Sequence, residues 1–496
     1  MPDRSSRAAS GVPGFDRLLG GGFPSDRMYL LEGRPGTGKT TFALQFCRAG
    51  IAAGERVLYV TLSQREVELH EIAHSHGWDL DGIEVLDAQT SGLDLHEGDH
   101  TLFHTSDVDL STIVQTLMSR VEEGAPGRLV LDSAAEIRLL AGDPLRSRRR
   151  FLELKHDLGT RGVTTLVLDD YSATSGESAI YSIMHGVVRL ERSAPEYGHV
   201  YRRLEIPKIR GVENPTGFHD FQIQPGGIRV YPSLTMHLSD LGVDEREEVG
   251  GELGEPVRSP VDGLDAMLGG GLDPGSSCVI IGVSGTGKSS LAAGYAAASA
   301  DAGRPAAIYT FDERKRTLLD RMEGMGFDFR AYDADVLKVE ELSASIMTTG
   351  RFVDRILRDV DAGMRLLVID SLTGFTEACP GAARAASQLH DLLAYLGGRG
   401  VTTLVTVPEH GILGGESSAQ VDVSYIADTV LKLQHYEAEG YLRKAIAVVK
   451  RRRGDHDLRV RQFHISDYGM AVGDVITAYQ GVLSGIPEVL PAEKVA

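Results

Sequence analysis

Two stretches decide the fold: Gly33-Arg34-Pro35-Gly36-Thr37-Gly38-Lys39-Thr40 and Gly282-Val283-Ser284-Gly285-Thr286-Gly287-Lys288-Ser289. Both fit G-x-x-x-x-G-K-[ST]. Each follows a short apolar run, RMYLLEG at 27–33 and SCVIIG at 277–282, and each opens a helical pattern. Strand, glycine-rich loop and helix in that order make a phosphate cradle. The glycines let backbone N–H groups converge on phosphate oxygens, and the positive end of the helix points at them. In such a cradle Lys39 and Lys288 reach the β- and γ-phosphates of ATP, and Thr40 and Ser289 ligate Mg²⁺. Gly33, Pro35, Gly36, Thr37, Gly38 and Thr41 complete the nucleotide contacts of the first loop. Ser284, Gly285, Thr286, Gly287 and Ser290 complete those of the second. A single match can be an ordinary Gly-rich turn. Two matches, each between a strand and a helix, leave that alternative little room.

Outward from the loops the chain repeats itself. Residues 14–23 read GFDRLLGGGF and residues 263–272 read GLDAMLGGGL, an offset of 249 that Lys39 and Lys288 share. The heptapeptide RGVTTLV stands at 161–167 and again at 399–405, an offset of 238, so the first copy carries eleven additional residues. A period this long marks duplicated domains. Residues 240–258, DLGVDEREEVGGELGEPVR, are acidic and without apolar period, and read as a solvated linker. The expected division is a tail at 1–10, a first domain at 11–240, a linker at 241–258, a second domain at 259–475 and a tail at 476–496.

Further apolar runs alternate with helical patterns in both copies: RVLYVTL (56–62), RLVLD (128–132) and VTTLVLD (163–169), then AAIYTF (306–311), RLLVID (365–370) and VTTLVTV (401–407). Such runs predict α/β domains, each a mainly parallel twisted sheet flanked by helices. The 496 residues suffice for two such cores, and 42% apolar with 24% charged residues is globular composition. No stretch is long and apolar enough to span a bilayer, and Met1–Ser10 lacks an apolar leader region. Cys47, Cys278 and Cys379 are too scattered for a disulfide framework or a zinc site, and the cytoplasm is the expected compartment. A net charge of −19 argues against a protein that coats nucleic acid. His70, His74 and His76 lack a fitting third ligand and read as a solvated helix face.

Asp132 and Asp370 each end an apolar strand, LVLDS and LVIDS. A carboxylate at that end, beside the phosphate loop, suits contact with Mg²⁺; the plain alternative is an Asp that caps the next turn.

These residues resemble the RecA-like clock ATPases called KaiC, and more closely the broader KaiC-like group of bacterial ATPases. The resemblance covers almost the whole chain. It rests on the GFDRLLGGGF and GLDAMLGGGL stretches, on HGVVRLER (185–192) followed by PKIRG (207–211), and on DVSYIADTVLKLQHYEAEG (422–440), VVKRRRG (448–454) and QGVLSGIP (480–487). It implies tandem RecA-like P-loop domains, a homohexamer or higher ring with ATP at subunit interfaces, slow ATP hydrolysis, a role as signalling switch or timer with protein partners, and in some members autophosphorylation.

By that resemblance a carboxylate after the second strand activates water. The second copy has Thr310-Phe311-Asp312-Glu313, which makes Glu313 the base and Asp312 its support. The first has Thr61-Leu62-Ser63-Gln64, and glutamine orients water without taking its proton. Glu66 stands nearby. Lys208 and Arg210 match a Lys-x-Arg-Gly element whose cations reach a neighbour's γ-phosphate. In Lys450-Arg451-Arg452-Arg453-Gly454 the residues taken to fit it are Arg451 and Arg453, and a basic exposed strand or a nucleic-acid patch is the alternative. Ser424 and Tyr425 stand where phosphorylating members carry two hydroxyl acceptors, with tyrosine in place of the clock proteins' threonine; ordinary strand-edge or interface residues are the alternative. Two other classes compete with the switch: a RecA- or DnaB-like DNA motor, and a scaffold in which ATP is only structural.

Overall fold

The computed structural model describes residues 6–87, 110–170, 180–194, 200–213, 217–240, 254–343, 347–377, 382–409 and 426–490. The chain divides into two compact units, Met1–Ser233 and Leu234–Ala496.

Among the described residues each unit is built on a nine-stranded sheet, and the two sheets share one strand order. In the first unit the order across the sheet is Gly227–Tyr231, His219–Gln224, Tyr201–Ile209, Gly186–Ser193, Met28–Gly33, Thr164–Asp170, Arg128–Asp132, Val57–Thr61 and Ile83–Asp87. The strands from Gly186–Ser193 to Ile83–Asp87 are parallel, and the remaining three join antiparallel. The second sheet repeats this from Arg461–Ser466 and Gly469–Val475 at one edge to Leu337–Glu341 at the other. In both, the phosphate-loop strand lies between two parallel neighbours, the strand of the repeated heptapeptide on one side and Gly186–Ser193 or Thr429–Ala438 on the other, and antiparallel pairing begins one strand further out.

The central strands are apolar throughout because both sheet faces are covered. Successive side chains point to opposite faces. In Ser277–Gly282, Val279 therefore enters one core with Leu367, Ile369 and Phe352, while Cys278 and Ile280 enter the other with Leu291 and Val368. The helices Lys39–Ala52 and Lys288–Asp301 follow the loops directly. Each starts from a glycine in the left-handed region, Gly38 at φ 108° and Gly287 at φ 103°. A Cβ on Gly287 would stand 2.2 Å from Ile465 Cδ1, and its positive φ is one that other residues rarely adopt, so the backbone conformation itself calls for glycine there.

Two sequence expectations about boundaries change. The helix Leu234–Asp240, expected to close the first domain, packs in the second unit against Ala382–Gly398, with Leu234 buried in its core and His237 6.2 Å from the Tyr395 ring. Its apolar face overrides the polar sequence that follows. The expected tail also joins a core: Val482 is buried with Tyr436, Ala438 and Ala445, and Tyr479–Gln480 pairs with Glu488–Val489. Residues 241–253 of the linker lie outside the described residues.

Candidate active sites

In the second unit the loop, the strand-end aspartate and the acid pair come together. Lys288 Nζ donates to Val283 O at 2.9 Å and is buried, and burial lowers its pKa against the pull of Asp370, Glu409 and Asp312. Asp370 is only 5% exposed and accepts from Ser289 Oγ at 3.0 Å and from Thr406 Oγ1 at 2.5 Å. A hydroxyl and a carboxylate held this way are hard oxygen donors of the kind Mg²⁺ takes, so the set fits that ion. The carboxylate of Asp312 accepts from Ser371 Oγ at 2.5 Å, which ties it to the residue after Asp370. Thr310 Oγ1 accepts from the Glu313 N–H at 3.3 Å and donates to its carbonyl at 3.0 Å, which fixes the Glu313 backbone at the strand end. Burial raises the Glu313 carboxyl above the ordinary range, and Arg321 opposes that rise. Gly285, Lys288, Ser289 and Arg321 share a cavity of about 590 Å³, a size suited to a small-molecule ligand.

The first unit has the same frame and different chemistry. Thr61 Oγ1 holds Gln64 through its carbonyl at 2.6 Å and its N–H at 3.1 Å, so Gln64 occupies the place of Glu313. The Gln64 Oε1 is buried and has no hydrogen-bond donor among the described residues, which leaves an acceptor for water or ligand. Asp132 is buried as Asp370 is, but its carboxylate accepts from Tyr59 OH at 2.7 Å, and burial raises its pKa. Lys39 Nζ donates to Gly33 O at 2.8 Å and pairs with Asp170 Oδ1 at 2.8 Å. Asp170 was not among the sequence candidates. It ends the strand Thr164–Asp170, and Pro408 ends the corresponding strand of the second unit. Glu66 begins the next helix and lies 3.8 Å from His70.

Strand register corrects the assignment of the second basic element. Val187 pairs with Lys208 and Gly186 with Ile209; Val430 pairs with Lys450 and Thr429 with Arg451. Gly186 lies opposite Tyr29 as Thr429 lies opposite Cys278, at the same offset of 249 along the phosphate-loop strands. Lys450 and Arg452 therefore stand where Lys208 and Arg210 do. The Arg210 N–H donates to His185 O at 2.8 Å and the Arg452 N–H to Asp428 O at 2.9 Å, an identical pattern. Arg451, expected to reach outward, is 8% exposed and paired with Asp273 at 3.2 Å inside its own unit. Arg453 occupies the place of Gly211 and is exposed. The choice of Arg451 and Arg453 failed because alternation along a strand sends neighbouring residues to opposite faces, and four consecutive cations hide which face is which.

Lys208 Nζ donates to Tyr181 O at 2.9 Å and Ser182 O at 3.0 Å, and Arg210 donates to Ser182 O at 3.3 Å. Ser424 and Tyr425, with Cys379, lie outside the described residues. His76 meets Gln224 O and stacks on Trp78, and the described residues contain no cluster that could hold a metal through His, Cys, Asp or Glu. No helix among them is long and apolar enough to cross a membrane.

Comparison of the sequence with known proteins points to one family. The family model of the KaiC ATPase matches residues 8–235 and again residues 257–475. The chain is 27% identical over 482 residues to the circadian clock oscillator protein KaiC of Acaryochloris marina, covering 96% of this chain and 90% of that one. It is 27% identical to the protein of the same name from Synechococcus elongatus, over 96% and 91% of the two chains. To the circadian clock protein KaiC3 of Synechocystis it is 26% identical, over 98% and 95%.

Proposed function

The chain belongs to the KaiC family of ATPases, and from that premise we propose that it is a ring-forming switch or timer that hydrolyses ATP mainly in its second unit. The first unit holds ATP as a long-lived structural ligand. The observation that carries this reading is a difference at one place: Glu313 in the second unit, Gln64 in the first, each held by the same threonine pattern.

In each unit the phosphate loop and its lysine bind the β- and γ-phosphates. Ser289 with Asp370, and Thr40 with Asp132, hold Mg²⁺, which neutralises charge on the phosphate oxygens when bound. In the second unit water attacks the γ-phosphorus and Glu313 takes its proton. The bond to the bridging oxygen breaks, and ADP leaves with the electron pair. Asp312 is anchored on Ser371 and shapes the field around Lys288. Lys208 with Arg210, and Lys450 with Arg452, serve as the cations that reach a neighbouring subunit's nucleotide, which couples turnover to a homohexamer or larger ring. Signalling proteins are the partners of such a ring. Autophosphorylation at Ser424 or Tyr425 belongs to the same reading and rests on their place before Ile426-Ala427-Asp428-Thr429. Cys47 and Cys278 are buried free thiols, in keeping with the cytoplasm.

The test is steady-state ATP turnover. Removal of a general base costs roughly 10²–10⁴ in rate, so Glu313→Gln is expected to lose most activity while nucleotide stays bound. Gln64→Glu is expected to raise activity by placing a base in the first unit. Retention of most of the wild-type rate by Glu313→Gln would move hydrolysis to the first unit, with Glu66 or Asp170 as its base.

A further inference from the structure

Arg321 belongs to none of the sequence motifs, yet it touches two of them. It lies on the helix Lys315–Gly324, eight residues beyond Glu313. One guanidinium nitrogen donates to Glu313 Oε2 at 2.6 Å, and the other donates to Ser290 Oγ in the first turn of the phosphate-loop helix. The two side chains are 31% and 23% exposed, and Arg321 lines the same cavity as Lys288 and Ser289. The Arg321 Nε–H is buried and has no acceptor among the described residues.

The first unit shows what this position looks like without a carboxylate. At the offset of 249, Leu69 and Ala73 correspond to Leu318 and Met322, the buried residues of the two helices. Ile72 then corresponds to Arg321, as Gln64 does to Glu313. Carboxylate and guanidinium are absent together. Desolvation makes a partly buried ion pair a poor source of stability, and replacing both partners by uncharged residues is commonly neutral or better. An unsatisfied buried N–H adds a further cost. Packing therefore does not account for Arg321, because the same fold seats isoleucine there. Thr310 fixes only the backbone of Glu313, so the side-chain torsions need a second anchor.

We propose that Arg321 is a positioning residue for hydrolysis in the second unit: it anchors the Glu313 carboxylate to the phosphate-loop helix through Ser290, so that base and phosphate keep one relative geometry. This rests on the reading of Glu313 as general base. Arg321 acts only through Glu313, and that sets the experiment.

Turnover of the full-length chain is measured for Arg321→Ile, Arg321→Lys, Glu313→Gln and the Glu313→Gln/Arg321→Ile double variant. Arg321→Ile copies the first unit's residue, and its melting temperature checks folding. Misplacing a reacting group costs about ten- to a hundred-fold, so kcat of Arg321→Ile is expected to fall by that range with KM nearly unchanged. Arg321→Lys keeps a cation and is expected to recover part of the loss, which also serves if the isoleucine variant fails to fold. In the Glu313→Gln background, Arg321→Ile is expected to cost nothing further. A wild-type kcat for both Arg321 variants beside an inactive Glu313→Gln overturns the inference and leaves the base assignment intact. A raised KM at unchanged kcat, or an equal second loss in the Glu313→Gln background, also overturns it and makes Arg321 a nucleotide contact or a structural residue. High activity of Glu313→Gln instead overturns the base assignment itself.

Discussion

At the scale of single residues, the two phosphate-loop lysines sit in different electrostatic company. Lys288 is buried beside Asp370, Glu409 and Asp312 without a direct ion pair among the described contacts. Lys39 is already paired with Asp170, 12% and 53% exposed respectively. In the first site an incoming phosphate has to displace that carboxylate. A pair this exposed is worth about 1 kcal/mol or less. Asp170→Asn is therefore expected to tighten nucleotide binding at the first site by a few-fold, about five at most. Titration of a fluorescent ATP analogue into a Lys288→Ala protein, where the second site is disabled, reads this directly. Weaker binding in Asp170→Asn would mean that Asp170 contributes to the nucleotide site instead of competing for it.

At the scale of elements, the paired strands Thr429–Ala438 and Tyr441–Arg451 decide which cations face outward. Arg451 points inward to Asp273, and Arg452 continues beyond the strand at the place of Arg210. The two arginines are adjacent in sequence and should respond to substitution in opposite ways. Arg451→Ala strands a partly buried carboxylate and is expected to destabilise the second unit by about 2 kcal/mol, seen as a lower melting temperature. Arg452→Ala is expected to leave melting unchanged and to lower ATP turnover under assembling conditions. The reverse pattern would return the sequence assignment of Arg451 and Arg453 as the outward pair.

At the scale of the whole molecule, the proposed interfacial nucleotide sites predict that assembly depends on ATP. Native mass measurement with ATP and Mg²⁺ is expected to show a hexamer or dodecamer, and Lys39→Ala is expected to weaken the ring more than it weakens turnover. A monomer at saturating nucleotide would rule out interfacial sites. The same spectra report phosphate added to the chain after long incubation, and its absence would remove the kinase reading of Ser424 and Tyr425. The proposed division of labour also belongs to this scale: if one unit binds and the other hydrolyses, a single chain would carry both a stable ring contact and a slow chemical step.

Much of this was legible in the chain itself. Two glycine-lysine loops at one offset, apolar strands bounded by helical patterns and a strand-end aspartate in each copy follow from local rules. A phosphate cradle needs those residues in that order, and a parallel strand buried on both faces must be apolar along its length. Gln64 opposite Glu313 was readable for the same reason, since the repeat puts both four residues into the same turn. Contacts between elements were not readable. Arg321 reaches Glu313 because a helix brings its last turn back over the loop, and Asp170 reaches Lys39 because two strands distant in sequence are neighbours in the sheet. Leu234–Asp240 joined the second unit because burying its apolar face outweighed its place in the chain. Periodicity and motif spacing specify what each element is. Which side chains meet across elements is set by register and packing, and those exist only once the sheet has formed.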